Sequence, residues 1–443
     1  MASTLIQDTL TMTAPGEIKP HQDIFIKNGK IAQVGDHGSF PAEADDVIDG
    51  THRLFMPGLI DSHLHTGQQL LRGRVLDTKG IIWKKIMLPF EADTTPETMT
   101  LNAQLAALEM ITSGTTGFVD AGGYHMAAAG TVYAQSGLRG ALAYSTMDDP
   151  RLPASINMDA KTAIAHTDAL YDQFHGRHHL QVYYSLRALN NCSDELVDLA
   201  AQRAADRHTF LEAHMNEYPQ EVAGILTRCG ERPYVYLAKR GALSDHFLGA
   251  HSLFLDDAEK ALIEKYHVKL NHSPFSNSGK GVPPTPELLK AGVSIGLGTD
   301  GAAHGGLSLW QEMKIFRAIM TLHYGVPQHI ANIMPATTIM SLVLDGGAAA
   351  LNMPGQLGRI APGYQADIIG LDIDSPHLWP TGNWNNTLLE SVNANDVADS
   401  MVAGKWLMRK RKVLTLDVER IKAVCARRYP TLWHSSSSQL ATS

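Results

Sequence analysis

The chain has 443 residues, a net charge near −8, 44% apolar residues and 19% charged residues. That length exceeds one minimal domain and suits a large barrel with a smaller companion, and the apolar share supplies an ordinary globular core. Acids and bases are interspersed and no basic arm is present, which argues against a nucleic-acid surface.

Met1 to Gly16 has no basic segment followed by an apolar core, so no secretory signal is expected there. No apolar run reaches the roughly 18 residues of a membrane helix. Cys192, Cys229 and Cys425 are far apart and form no Cys-x-x-Cys pair. A reducing cytoplasm is the expected compartment.

From the start to about residue 56 the pattern is short strands and turns. Asp23 to Gly35 reads as two strands joined at Asn28-Gly29, a strong hairpin signal, and Val47 to Gly50 adds another strand. The same texture returns late, at Gly358-Arg359-Ile360, Ala366 to Leu371, Val397 to Val402 and Gly404 to Met408. A composite β-sandwich domain built from both ends, 1–56 and 346–433, is therefore expected around a central domain, 57–345. Residues 434–443, rich in Ser and Thr, read as a flexible tail.

The middle alternates strand and helix. Apolar runs end at polar or histidine residues: Leu59 to His65, Thr116 to Asp120, Gly140 to Ser145, Leu180 to Ser185, Thr209 to His214, His246 to His251, Val268 to His272 and Val293 to Asp300. Helical patterns lie between them, for example Pro96 to Ser113 and Asp194 to Arg207. Eight such units predict an α/β chain with a (β/α)8 TIM-type barrel rather than an open sheet.

In such a barrel the C-terminal ends of the strands converge on one face. Read in order, those ends carry His63 and His65, then His214, His251, His272 and Asp300. His63 and His65 are one residue apart, so their imidazoles share a strand face. The eighth strand closes beside the first, which puts Asp300 next to the pair. A single buried histidine is ordinary core; five at four strand ends, with an aspartate, are not, and three imidazoles with one carboxylate suit a divalent ion with one position left for water.

Pro57-Gly58-Leu59-Ile60-Asp61-Ser62-His63-Leu64-His65 resembles the opening signature of the amidohydrolase superfamily. The likeness continues at His214-Met215-Asn216-Glu217, Gly249-Ala250-His251, Asn271 to Asn277, Leu297 to Gly301 and Leu357 to Asp367. The branch it is most similar to is the chlorohydrolase/aminohydrolase group, with S-adenosylhomocysteine and methylthioadenosine deaminases, guanine deaminase and triazine hydrolases. The resemblance implies that His63, His65, His214 and Asp300 bind one zinc, or iron. Leu180 to Ser185 contains no lysine that could bridge two ions, so a single ion is expected.

The resemblance also implies chemistry. Asp300 would take a proton from a metal-activated water, His251 would hydrogen-bond the attacking oxygen, and Glu217 would protonate a ring nitrogen and shuttle a proton to ammonia. The pocket should come from loops after the strands; the first, Thr66 to Pro96, carries Gln69, Arg72, Trp83 and Glu91. Glu91, in Leu88-Pro89-Phe90-Glu91, matches a glutamate that contacts ribose in the resembled nucleoside deaminases. Where those enzymes have a histidine after the fourth strand, this chain has Arg187, a permanent fork of donors for carbonyl or anionic groups. Trp83 could stack on a planar ring, and His272 is a further candidate substrate contact.

The expected activity is hydrolytic deamination of an amino-substituted heteroaromatic ring (purine, pterin or nucleoside-like) by a cytoplasmic homo-oligomer with a small-molecule partner and neither nucleic acid nor membrane. The rivals are a cyclic amide or imide hydrolase, a triazine-type chlorohydrolase, and a barrel that only binds ligand or metal.

Overall fold

The eight apolar runs of the middle become parallel strands in a computed structural model that describes residues 3–40, 43–79 and 81–428. They are Leu59–His65, Thr115–Asp120, Arg139–Ala143, Leu180–Leu186, Leu211–Met215, Phe247–His251, Lys269–His272, and an eighth in two pieces, Ile295–Leu297 and Asp300–Gly301. Each pairs with its sequence neighbour, and the last piece pairs with the first strand, Asp300 opposite Leu64 and Gly301 opposite His65. The sheet thus closes into the expected barrel, with helices between strands. Pro96–Ser113 is one of them. Thr95 caps it by accepting from Thr98 N, and Gly114, at φ +87°, ends it.

The break in the eighth strand is what aims Asp300. Ile295–Leu297 pairs with strand seven, and the chain then steps across to strand one. Gly298 makes the step possible, since a Cβ there would lie 2.5 Å from His63 O and 2.6 Å from Asn271 Nδ2. Asp61 fastens the far side: its carboxylate accepts from Thr299 Oγ1 at 2.6 Å, Thr299 N at 3.2 Å and His63 N at 3.1 Å. Asp300 itself adopts φ +59° and His251 φ +67°. Left-handed backbone in side-chain-bearing residues costs about 1 kcal/mol or more and gathers at functional sites.

The opposite end of the barrel is plugged. Ile60, Val119, Ala141 and Tyr183 pack with Ala348, Leu351 and Leu357 in one buried cluster, and Tyr183 Oη donates to Ala350 O at 3.0 Å. This plug begins in a helical run from Ala336 to Ala350. The boundary expected between residues 345 and 346 therefore falls inside a helix that packs on barrel strands.

The two ends of the chain share a second sheet of nine strands, in which Ile368–Asp372 pairs with Arg53–Pro57. It is one branched sheet: Ser3–Ala14 pairs with Asp46–Asp49 along its first half and with Arg53–Pro57 along its second. Its limbs close over Ile6, Ile24, Ile26, Ile31, Phe55, Ile368 and Met401. The hairpin at Asn28-Gly29 forms, both residues having positive φ. Gly358-Arg359-Ile360 is not a strand. Gly358 takes φ +84°, and Ile360 N donates to Thr13 O. The tail predicted over 434–443 lies outside the described residues, among which no helix is long and apolar enough to cross a membrane.

Candidate metal centre and substrate cleft

His63, His65 and His214 meet at the barrel mouth, all buried, with ring centroids 4.9 to 5.2 Å apart. His65 Nε2 stands 3.2 Å from His214 Nε2. Asp300 Oδ1 is 3.3 Å from His65 Nε2 and 4.0 Å from His63 Nε2. Burial pushes His63 down to about 3 and holds His65 and His214 well below the usual imidazole range, with the Arg187 charge adding to the effect on the latter two. All three rings are therefore neutral at pH 7, as metal ligation requires.

This donor set fits a divalent ion. Two imidazole nitrogens held at Zn–N lengths of about 2.05 Å in a tetrahedron stand about 3.3 Å apart, close to the His65–His214 separation. Both ring nitrogens of His63 are buried without a hydrogen-bond partner, and an ion would relieve that cost at one of them.

Arg187, at the end of the fourth strand, approaches the same nitrogens. Its Nη1 lies 3.0 Å from His65 Nε2 and 2.9 Å from His214 Nε2, while Nη2 donates to Glu91 Oε1 at 3.0 Å. Gln68 Nε2 donates to the same carboxylate oxygen at 2.9 Å. Glu91 is thus engaged by protein groups through Oε1, and Oε2 is buried without a partner.

A second set lies across the mouth. His251 Nε2 is 3.7 Å from Glu217 Oε1. His251 Nδ1 meets Asn277 Oδ1 at 2.9 Å, an arrangement that puts the ring proton on Nδ1 and leaves Nε2 as the acceptor of the neutral ring. Lys280 Nζ donates to Glu217 Oε1 at 2.5 Å, and Ser276 Oγ donates to Asp300 Oδ2 at 2.6 Å. Burial raises the Glu217 carboxyl, but neighbouring positive charge, Lys280 foremost, outweighs it, so the net shift is downward. Asp300 follows the same pattern. Burial opposes its ionisation, and the groups around it, His304 and Lys280 foremost, hold it well below the carboxylate range.

Gln68, Trp83, Arg187, Glu217, Lys280 and Asp300 line the cleft above these groups, about 850 Å³ counting its open mouth. The loop expected over Thr66 to Pro96 contains short helical turns, Thr66–Leu71, Trp83–Met87 and Leu88–Ala92, and so puts Trp83 on a helix at the rim. His272 is buried away from the lining, its Nδ1 2.9 Å from Thr285 Oγ1.

Three supporting residues escaped the sequence reading. Gln68 sits in a polar Gln-Gln pair inside an otherwise apolar turn, and Asp61 lies within the opening signature itself. Lys280 lies three residues beyond the quoted Asn271–Asn277 motif.

Residues 54–407 match the model of the Amidohydrolase family. The chain belongs to that family. It is 34% identical to a 5-methylthioadenosine/S-adenosylhomocysteine deaminase of Thermococcus kodakarensis over 390 residues, 87% of this chain and 89% of that one. A protein of the same description from Desulfitobacterium hafniense is 30% identical over 420 residues, 93% of this chain and 94% of that one. The crystal structure of an adenosine deaminase from Xanthomonas campestris with bound zinc superposes with a TM-score of 0.91 at 24% identity, covering 98% of each chain, a likeness of fold. The superfamily read from the motifs is the one found. So is the class, a hydrolase acting on carbon–nitrogen bonds other than peptide bonds.

Proposed function

We propose that this amidohydrolase is a hydrolytic deaminase that replaces the exocyclic amine of a purine-like or pterin-like ring with oxygen and releases ammonia. The observation that carries the reading is the convergence of two sets, His63, His65 and His214 on one side and Glu217, His251 and Asp300 on the other, each with its donor atoms within 4.8 Å of one another. Deaminase relatives aligned along most of the chain support it.

His63, His65, His214 and Asp300 would hold one divalent ion, zinc by the chemistry of three imidazoles and a carboxylate. When bound, such an ion supplies an acidified water near neutral pH. The side chains do the rest. Asp300 takes a proton from the attacking water and delivers it to the departing amine. Glu217 carries the other proton to the ring nitrogen beside the reacting carbon. His251 Nε2 accepts a hydrogen bond from the water, which aligns its lone pair with the ring carbon.

Arg187 reads the substrate. Its guanidinium, buried and oriented by Glu91, lines the cleft beside His65 and His214, and a ring carbonyl is its natural acceptor. Glu91 on this reading orients Arg187, and ribose contact is secondary. Trp83 covers the ring from the rim, and His272 serves the structure of strand seven. The barrel with its plug, and the branched sheet from the chain ends, are read as two domains.

An ammonia-release screen on zinc-loaded protein, with 5′-methylthioadenosine, adenosine, guanine, pterins and aminotriazines, tests the proposal. Ammonia release is expected, and rings bearing a carbonyl beside the amidine should be favoured. Ring-opened product without ammonia, or chloride release from chlorotriazines alone, would replace it with the cyclic-amide or chlorohydrolase reading.

A further inference from the structure

The stretch after the seventh strand, Ser273 to Lys280, touches the three side chains that move or align the water's protons above, Asp300, His251 and Glu217. Ser276 Oγ reaches Asp300 Oδ2, Asn277 Oδ1 meets His251 Nδ1, and Lys280 Nζ reaches Glu217 Oε1. Lys280 Nζ also reaches Ser276 Oγ at 2.7 Å and lies 3.9 Å from Asp300 Oδ2. A chain of contacts therefore runs from Glu217 through Lys280 and Ser276 to Asp300.

The lysine is not a surface group that happens to lean inward. Its side chain is only 8% exposed, and Nζ lies 5.4 Å from the Tyr218 ring centroid. A buried ammonium is costly unless opposed by charge, and here two carboxylates oppose it. The backbone beneath is fixed. Lys280 N donates to Asn277 O at 2.8 Å, and Phe275 N donates to the buried Glu312 carboxyl at 2.8 Å.

We propose that Lys280 is a positioning residue of the deamination. It clamps Oε1 of Glu217, so that Oε2, which accepts no hydrogen bond among the described residues, is the oxygen offered to the ring nitrogen. Glu217 needs such a clamp: it stands beyond the end of strand five, after Asn216 in a left-handed conformation at φ +49°. Lys280 also lies between two carboxylates that would otherwise repel each other. The inference rests on the reading of Glu217 as the proton carrier, and it joins that carrier to a positioning lysine across two loops.

The test compares Lys280→Met, Lys280→Arg, Glu217→Gln and the double variant Lys280→Met/Glu217→Gln in the zinc-loaded full chain. The substrate is whichever of 5′-methylthioadenosine, adenosine, guanine and pterin releases ammonia fastest. Lys280→Met is expected to lower kcat about 100-fold with KM changed less than about threefold, and Lys280→Arg to regain about tenfold. The double variant should be within about threefold of Glu217→Gln alone, because a clamp has no effect once the carried proton is gone.

Zinc content and melting temperature, measured on each variant, separate this from a fold defect. If Lys280→Met loses zinc or stability, the comparison is made with Lys280→Gln and Lys280→Arg. A kcat for Lys280→Met within threefold of wild type, or a full multiplicative loss in the double variant, overturns the proposal. A fully active Glu217→Gln would instead overturn the proton-carrier reading, and this inference with it.

Discussion

Arg187 stands against His214: its Nη1 is 2.9 Å from His214 Nε2, the nitrogen that is itself 3.2 Å from His65 Nε2. A permanent cation and a divalent ion are thus drawn to the same lone pairs, and their repulsion is felt at low dielectric. Arg187→Met should bind zinc about tenfold more tightly, and its KM for carbonyl-bearing substrates should rise about tenfold or more. Arg187→Lys keeps the charge but not the planar fork, so its KM rises while zinc affinity stays near wild type. Competition against a chromophoric chelator, with steady-state kinetics, measures both. Unchanged zinc affinity in Arg187→Met would show that the guanidinium and the ion do not compete.

Asp300 has two duties, one as a ligand beside His65 and one as the carrier of a proton, and its second oxygen is already taken by Ser276. Asp300→Asn preserves shape and the Ser276 contact but neither the charge nor the proton acceptor. We expect a folded protein with kcat reduced by about three orders of magnitude or more, even at zinc concentrations that restore full occupancy. Circular dichroism and elemental analysis establish fold and loading. Near-normal turnover at full occupancy would remove Asp300 from the proton path.

The step in the eighth strand is tight enough to be tested with one methyl group. In Gly298→Ala the new Cβ would be forced to within 2.5 Å of His63 O and 2.6 Å of Asn271 Nδ2. Backbone must move, and Asp300 and His63 move with it. A loss of about 2 kcal/mol or more of stability is expected, with zinc retention falling in parallel. Urea unfolding and metal content report the two effects. A variant that keeps wild-type values in both would mean the step is not constrained as described.

How much of this was legible beforehand depended on whether a residue's role is local. His63, His65, His214, His251 and Asp300 were readable because each closes an apolar run, and strand direction sends such ends to one mouth. The break between Leu297 and Asp300 was not readable, because it is set by the need to pair with strands seven and one at once, a demand made by barrel closure and not by local propensity. Glu91 was found but its partner was not. Only the fold shows that a residue 96 positions away, Arg187, takes its Oε1. Lys280 escaped for a related reason, since a lysine after Ser-Gly reads as a solvated turn until Glu217 and Asp300 are seen on either side of it. The plug over residues 346–357 was assigned to the terminal sheet because nothing in its apolar, Gly-rich pattern says which domain it fills.

Glu312 gives a prediction whose sign depends on pH. Its carboxyl is buried beneath the Ser273–Lys280 segment, where one oxygen accepts from Phe275 N, and burial pushes it up from 4.5 to about 8. Between those two values the folded chain keeps a proton that the unfolded chain has released. Stability therefore falls as pH rises through that window, by up to about 1.36 kcal/mol per unit for this group, and the loss is complete above about pH 8. Glu312→Gln keeps a carbonyl for Phe275 N and has no proton to lose. It should match wild type near pH 4.5 to 5 and become progressively more stable than wild type towards pH 8, by a few kcal/mol at most, because partial hydration of the carboxyl discounts the full linkage value. Other buried titrating groups that do not face Glu312 are common to both proteins and largely cancel in the difference. Urea midpoints at pH 5, 6.5 and 8 decide it. A gap that is the same at all three would mean Glu312 is ionised in the folded chain and that its single backbone contact suffices to hold the charge.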